Sequence, residues 1–195
     1  MRPMAAMTFT VEDLATLTDV VVAAWRAGLD RDWSAPAGAL EWSCRRTADH
    51  AVDTLLAPAF FLASRRTDDY PTSGSSTPGV DAEPAVLIEA LGTASRVLAA
   101  VVLATGPDER AIIWRRPRAE TRGPADFVPR GALELILHAH DVCLGLGVPF
   151  DPPAALCERL RAHTAPWPHW TSPGWSPLTL VGDPWTDLLR SSGRA

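Results

Sequence analysis

Apolar residues recur at helical spacing along most of the chain, and this pattern predicts five helices. The first helix begins after Thr10, which forms a near capping box with Asp13. It presents Leu14 and Leu17 on one face and ends near Gly28. An amphipathic helix of this kind is expected to pack on a core through its apolar face.

The second and third helices are marked by their first residues. Ser43 is a favourable N-cap and begins a helix that runs to about residue 66, with a kink expected at Pro58 because proline removes one backbone hydrogen bond. Pro84 suits the first turn of the third helix, which runs to about residue 105.

The fourth helix is predicted over residues 129–146 and stops at Gly147. A short fifth helix follows, capped by Asp151 and ending near residue 163. Residues 111–114 are compatible with a short extended segment, which the following Arg-Arg-Pro sequence would end.

The remaining segments are rich in residues that break helices. Residues 67–80 contain many Ser, Pro and Gly residues and are predicted to form a mobile linker, which could act as a lid. The last 29 residues, from Trp167 onward, hold four of the 8 tryptophans. The predicted fold class is all-α: a four-helix bundle over residues 1–150, with a short fifth helix and an irregular Trp/Pro-rich tail over residues 151–195 that packs on the bundle in the same domain.

Composition narrows the class of protein. The chain has 195 residues, of which 47% are hydrophobic, and a formal net charge of −5, which is unsuited to a nucleic-acid binder that neutralises phosphates. Its 3 cysteines lack the spacing of a metal site and are predicted to be buried thiols in a reducing compartment. All 18 cationic side chains are arginine, and lysine, asparagine and glutamine do not occur, a bias typical of GC-rich coding such as that of an actinobacterial host.

No membrane association is predicted. The longest apolar region, residues 86–106, is interrupted by Glu89 and Arg96, so its charge-free run is too short to span a bilayer. The N-terminal residues lack the apolar stretch of a secretory signal, so we expect a cytoplasmic protein. We expect it to be a monomer or homodimer that acts on a small molecule.

The fourth helix carries the strongest chemical signal. Arg130, Glu134, His138 and Asp141 lie at i, i+4, i+8 and i+11, so they share one stripe. Glu134 and His138 are one turn apart and can reach the same metal ion. The alternative is a solvated face with an ordinary Arg130–Glu134 ion pair. His140 points elsewhere and is not a candidate ligand.

A third ligand must come from another helix. His50 lies in the second helix on a polar or small face shared with Asp53 and Thr54, and bundles often build interior metal sites from facing helices. A surface or satisfied core histidine is the alternative. His163 and His169 lie near the Trp-rich tail, where packing is the predicted role and the lining of a pocket mouth is the alternative.

Two segments resemble a known family. Residues 38–65, GALEWSCRRTADHAVDTLLAPAFFLASR, resemble the opening motif of the mycothiol-dependent maleylpyruvate isomerase N-terminal family of the DinB-like superfamily. Residues 130–147, RGALELILHAHDVCLGLG, resemble its second motif: an arginine, then E-x-x-x-H, then an aspartate and a closing glycine. With the order of the helices, the resemblance covers roughly residues 10–150, and two motifs in the right order are more specific than either alone.

The resemblance implies a DinB-like four-helix bundle that binds one divalent metal ion, typically Zn²⁺, through His50, Glu134 and His138. Two imidazoles and one carboxylate leave the fourth position open, as in catalytic zinc sites. Arg130 and Asp141 are implied supporting residues around the ligands, with a structural ion pair as the alternative. In relatives of this kind the metal binds mycothiol or another low-molecular-weight thiol, whose thiolate attacks a small electrophile in an isomerisation or S-transfer reaction.

Other activities fit the same residues. An open metal position could activate water in a hydrolase, and the fold could serve a non-catalytic small-molecule binder. The full isomerases also carry a second, α/β domain, for which residues 151–195 are too few. The expected activity is therefore a thiol-dependent metalloenzyme rather than a maleylpyruvate isomerase in particular.

Overall fold

The prediction of an all-α fold is confirmed by the structure, a computed structural model that describes residues 8–71, 77–115 and 118–195. Helices account for most of the described residues, and a small two-stranded sheet lies between the third and fourth helices. The elements are α1 (Val11–Ala27), α2 (Cys44–Ser64), α3 (Pro84–Ala104), β1 (Ala111–Trp114), β2 (Glu120–Arg122), α4 (Phe127–Leu146), α5 (Ala154–Thr164) and α6 (Pro184–Ser191), with two short 3-10 turns.

Local capping signals set most helix boundaries as predicted. Thr10 and Asp13 form a complete capping box at the start of α1, and the Ser43 hydroxyl accepts a hydrogen bond from the backbone at the start of α2. Gly147 ends α4 in the left-handed conformation, with φ of 64°. The predicted cap of α5 was wrong: Pro153, not Asp151, precedes that helix, because the two prolines after Asp151 hold the chain extended.

The core lies between α1, α2, α3 and α4, and α2 packs against both α3 and α4. By length and composition alone, α3 could cross a membrane, with a mean hydropathy of 1.9 over its most apolar window. The sequence had favoured the opposite, because Glu89 and Arg96 interrupt this apolar region. Core helices pass the same test. Leu87, Leu91 and Leu98 of α3 are buried in this core.

The region after α4 is more ordered than the sequence suggested. The tail holds a 3-10 turn, Pro168–Thr171, and the additional helix α6, which packs against α5.

The predicted segment over residues 111–114 is strand β1, which pairs antiparallel with β2. Part of the predicted linker, residues 72–76, lies outside the described residues. On either side of that gap, Tyr70 stacks on Phe61, and Thr77 donates a hydrogen bond to an α2 carboxylate.

A buried ion pair fixes α6 to α5. The Asp187 side chain, 1% exposed, accepts hydrogen bonds from Arg161 at 2.5 Å and from the Thr179 hydroxyl at 3.0 Å. Burial raises the pKa of Asp187, but the hydrogen bonds from Arg161, Thr179 and the Gly182 backbone outweigh it and hold the pKa below its usual value.

Replacing this carboxylate is expected to weaken the fold in a pH-dependent way. Asp187→Asn should lower the free energy of unfolding at pH 7 by roughly 2 kcal/mol, the worth of one hydrogen bond to a charged group. Because the folded pKa is lowered, the stabilisation exists above the unfolded pKa of about 3.9 and is lost as pH falls through the folded value. Urea unfolding should therefore show the two proteins converging in acid, and a difference that does not vary with pH would contradict this prediction.

Candidate functional site

The three predicted metal ligands lie together where α2 faces α4. The rings of His50, from α2, and His138, from α4, are 5.0 Å apart between centroids in an edge-to-face arrangement. Glu134 lies one turn before His138, with its Oε2 atom 3.7 Å from His138 Nε2. Trp42 packs edge-on against the other side of His50, at 5.2 Å. The structure therefore places the three predicted ligands side by side where α2 faces α4, and we call this surface the ligand wall.

The local electrostatics favour the unprotonated form of two of these groups. Burial, followed by the charge of His138, lowers the pKa of His50, so that its imidazole is neutral at pH 7. For Glu134, burial raises the pKa, but the charges of Arg130 and His138 outweigh it and hold the pKa below its usual value. A neutral imidazole and an ionised carboxylate are the states that bind metal ions.

A chain of contacts orients His138 from behind. Its Nδ1 atom lies 3.2 Å from Asp141 Oδ2, which leaves Nε2 directed toward Glu134. Arg194, near the end of the tail, donates to both oxygens of Asp141 at 2.8 to 3.2 Å. Asp141 is only 3% exposed. Burial raises its pKa, but hydrogen bonds from His138 and Arg194 outweigh this and lower the pKa. A carboxylate that accepts from a histidine in this way fixes which ring nitrogen is free.

His50, Glu134 and His138 are residue types that bind metal ions, but their side chains are not arranged around one common point. Arg130 donates to Glu134 Oε1 at 2.6 Å, the ion pair predicted from the sequence. Among the described residues, no group of three or more His, Cys, Asp or Glu side chains is arranged to hold a metal ion. Glu134 Oε2 is the oxygen that faces His138, so a metal ion could use it while Arg130 keeps the other oxygen. Two imidazoles and one carboxylate match an open zinc site.

The ligand wall opens into two adjoining cavities. The smaller, about 190 Å³, lies against His50 and the α2 residues Asp53, Thr54, Ala57, Pro58 and Phe61. The larger, about 540 Å³, reaches the tail, and we call it the tail chamber; it is lined by Tyr70, Trp114, Arg115, Arg130, Glu134, His169, Ser172 and Trp175. Tyr70, Arg130 and Glu134 line both cavities. The two cavities therefore form one cleft, with His50 at one end, the tail at the other and Glu134 between them, while His138 lies next to Glu134 outside the lining.

The sequence did not predict several of the residues that line the cleft. His169 packs among the tail tryptophans, as predicted, and also lines the tail chamber, the alternative role considered for it, whereas His163 bonds the Phe9 backbone and Asp126. His140 contacts Trp185, away from His138, as predicted. No sequence signal placed His169 in the same cavity as Glu134, because its position depends on contacts between parts of the chain that are far apart in sequence.

Two solved structures share this fold. One is a crystal structure of the mycothiol-dependent maleylpyruvate isomerase, with a TM-score of 0.53 and 17% identity over 80% of this chain and 69% of that one. The other is a histidine-to-alanine mutant of a mycothiol-dependent maleylpyruvate isomerase, with a TM-score of 0.54 and 18% identity over 84% and 72% of the two chains. No protein-family model matches the chain, and no curated protein sequence matches it.

These comparisons define the class of molecule as a helical bundle. More particularly, the bundle has the fold of the mycothiol-dependent maleylpyruvate isomerase, which confirms the predicted resemblance at the level of the fold.

Proposed function

We propose that this protein is a metal-dependent enzyme that uses a low-molecular-weight thiol to attack a small electrophilic substrate. The observation that carries the proposal is that His50, Glu134 and His138 lie close together where α2 faces α4, beside a cleft that His50 and Glu134 line, in a fold shared with a thiol-dependent isomerase. We further propose Zn²⁺ as the metal and mycothiol or a similar compound as the thiol.

The chain's own residues prepare the site for such a reaction. His50 and His138 would supply nitrogen ligands, and Glu134 an oxygen. Asp141 holds the His138 ring in place, and Arg130 balances the charge of Glu134 at the edge of both cavities. Bound Zn²⁺ would lower the pKa of a thiol at its open position, so that the sulfur is a thiolate at neutral pH.

The attacking sulfur must come from a separate molecule. Cys44, Cys143 and Cys157 are all buried. Burial raises the pKa of Cys44 to about 11 and the pKa values of Cys143 and Cys157 to about 12. A buried, fully protonated thiol is a poor nucleophile. The adjoining cavities, in contrast, leave room for an external thiol and a substrate beside the ligand wall.

Cobalt spectroscopy tests the proposal directly. The Co²⁺-loaded protein is expected to gain a sulfur-to-metal charge-transfer band when mycothiol is added, because the thiolate enters the open metal position. The control is a variant in which all 3 cysteines are replaced by alanine, which removes any band from the chain's own sulfur atoms.

The outcomes separate the candidate activities. Cobalt binding with a thiol-dependent band in both proteins supports the proposal. Cobalt binding without a band for any cellular thiol would overturn the thiol part and favour a hydrolase. If neither Zn²⁺ nor Co²⁺ binds, the metal proposal is wrong and the cleft is that of a non-catalytic binding protein.

A further inference from the structure

The tail chamber concentrates buried polar atoms that have no partner in the protein. They are Trp114 Nε1, both ring nitrogens of His169, and Ser172 Oγ. Buried polar atoms in proteins nearly always have a hydrogen-bond partner, and an exception calls for an explanation. Here three residues from two distant parts of the sequence line the same cavity. The lining of the chamber therefore contains polar side chains whose hydrogen-bonding capacity the protein itself does not use.

The hydrogen-bonding capacity of the chamber suits a ligand that is rich in acceptors. The Trp114 indole can only donate, Ser172 can donate or accept, and a neutral imidazole does one of each. Burial, then the charge of Arg130, lowers the pKa of His169 to about 4, so its ring is neutral at pH 7. The guanidinium groups of Arg115 and Arg130 add further donors. Donors therefore outnumber acceptors around the cavity.

The charge of the lining permits an anion. The chamber wall carries the two cations Arg115 and Arg130 and the single anion Glu134. Glu134 is already bonded to Arg130 at 2.6 Å. Arg115 lies over the ring of Tyr70 and bonds Asp69 at 2.9 Å on the exposed side, where Asp69 is 50% exposed. The ion pair of Arg115 is therefore solvent-screened and can be shared with a ligand.

The shape of the chamber suits a planar group. Its aromatic walls are Trp114 and Trp175, and the His169 ring lies 5.1 Å from the Trp175 ring and 6.2 Å from the Trp114 ring. Aromatic faces pack well against flat conjugated systems. A cavity of about 540 Å³ is large enough for a small organic molecule.

We infer that the tail chamber binds a planar aromatic carboxylate, with the carboxylate received by the arginines, His169 and Ser172 and the ring held between the aromatic side chains. As a statement about the substrate, this inference rests on the proposed function, because it names the class of molecule that would meet the thiol. The binding itself requires neither metal nor thiol.

Isothermal titration of the metal-free protein tests this inference. The probes are 2-naphthoate and 2-naphthamide, which match in shape but differ in charge. We expect 2-naphthoate to bind at pH 7 and 2-naphthamide to bind at least about tenfold more weakly, because the amide lacks the charge-assisted bonds. Equal binding of the two probes, or no binding of 2-naphthoate, would overturn the inference and leave ordered water as the partner of the buried atoms.

Two variants and a matched control assign the site. His169→Phe keeps an aromatic ring but removes both nitrogens, and it should weaken 2-naphthoate binding by about tenfold, as should Ser172→Ala by a smaller factor. His140→Phe, which alters a histidine that packs on Trp185 outside the chamber, should leave binding unchanged. Full affinity in both His169→Phe and Ser172→Ala would refute the assignment, provided that thermal unfolding shows both proteins folded.

The titration is independent of the cobalt experiment. A protein that binds 2-naphthoate but no metal would retain this site and lose the proposed function. A protein that forms the thiol–cobalt band but binds no carboxylate would retain the proposed function and lose this site.

Discussion

Replacing His50 with alanine or Glu134 with glutamine is expected to lower the affinity for Zn²⁺ by more than about a hundredfold, because each change removes a ligand and loss of a supporting contact alone costs about 10- to 100-fold. Helicity should be retained, since neither side chain is part of the apolar core. Competition with a chromophoric chelator measures the affinity, and circular dichroism checks the fold.

Two further variants test whether the loss of Zn²⁺ affinity is specific to the proposed ligands: one should have no effect and the other a smaller one. His140→Ala changes a histidine two positions from His138 that faces Trp185, and its Zn²⁺ affinity should equal that of the wild type. Arg194→Gln removes the bidentate partner of Asp141, so it should weaken Zn²⁺ binding by about tenfold rather than abolish it. Stoichiometric Zn²⁺ retained in both His50→Ala and Glu134→Gln would exclude the proposed ligand set.

Gly145→Ala is expected to destabilise the protein by about 3 kcal/mol, the upper part of the usual range for overpacking. A Cβ atom at Gly145 would overlap the Pro36 carbonyl oxygen and the Cys44 sulfur, so the segment before α2 would have to move away from α4. Both neighbours belong to well-packed structure: Pro36 pairs with Ser43, and Cys44 is fully buried. Urea unfolding of the variant and the wild type measures the difference.

The matched control is another glycine inside a helix. A Cβ at Gly92 of α3 meets only the flexible end of Arg96, at 3.5 Å. Gly92→Ala should therefore stabilise the protein by about 0.5 to 1 kcal/mol, because alanine is the better helix former. If the two variants change stability in the same direction, the close approach at Gly145 does not limit how tightly α2 and α4 pack.

Much of the bundle could be predicted because its signals are local. Thr10, Ser43 and Gly147 are capping residues that act within one helical turn, and they mark three boundaries correctly. Helix α6 could not be predicted from local signals, because it depends on the contact of Asp187 with Arg161, 26 residues earlier. No pattern within residues 184–191 predicts that partner, and the prolines in this part of the tail predicted irregular structure instead.

The candidate site likewise contains some residues that local signals predicted and others that they did not. Helical spacing predicted the shared stripe of Glu134, His138 and Asp141, the polar face of the second helix indicated His50, and the family resemblance supported the set. The places of His169 in the cleft and of Arg194 behind His138 could not be found in this way, because both residues belong to a tail whose path is fixed by packing of tryptophans and by ion pairs. Sequence spacing carries information about neighbours on one helix and little about side chains brought in from another segment.

The contact between Arg194 and Asp141 also bears on how the protein is made. A ribosome completes α2 and α4 well before it reaches the tail, and domains generally begin to fold from their N-terminal part during synthesis. A nascent chain can therefore pair the two ligand-bearing helices while His169, Trp175 and Arg194 have not yet emerged. The carboxylate behind His138 gains its arginine partner only after residue 194 has been synthesised, so full orientation of the site comes later than pairing of the two helices that carry it.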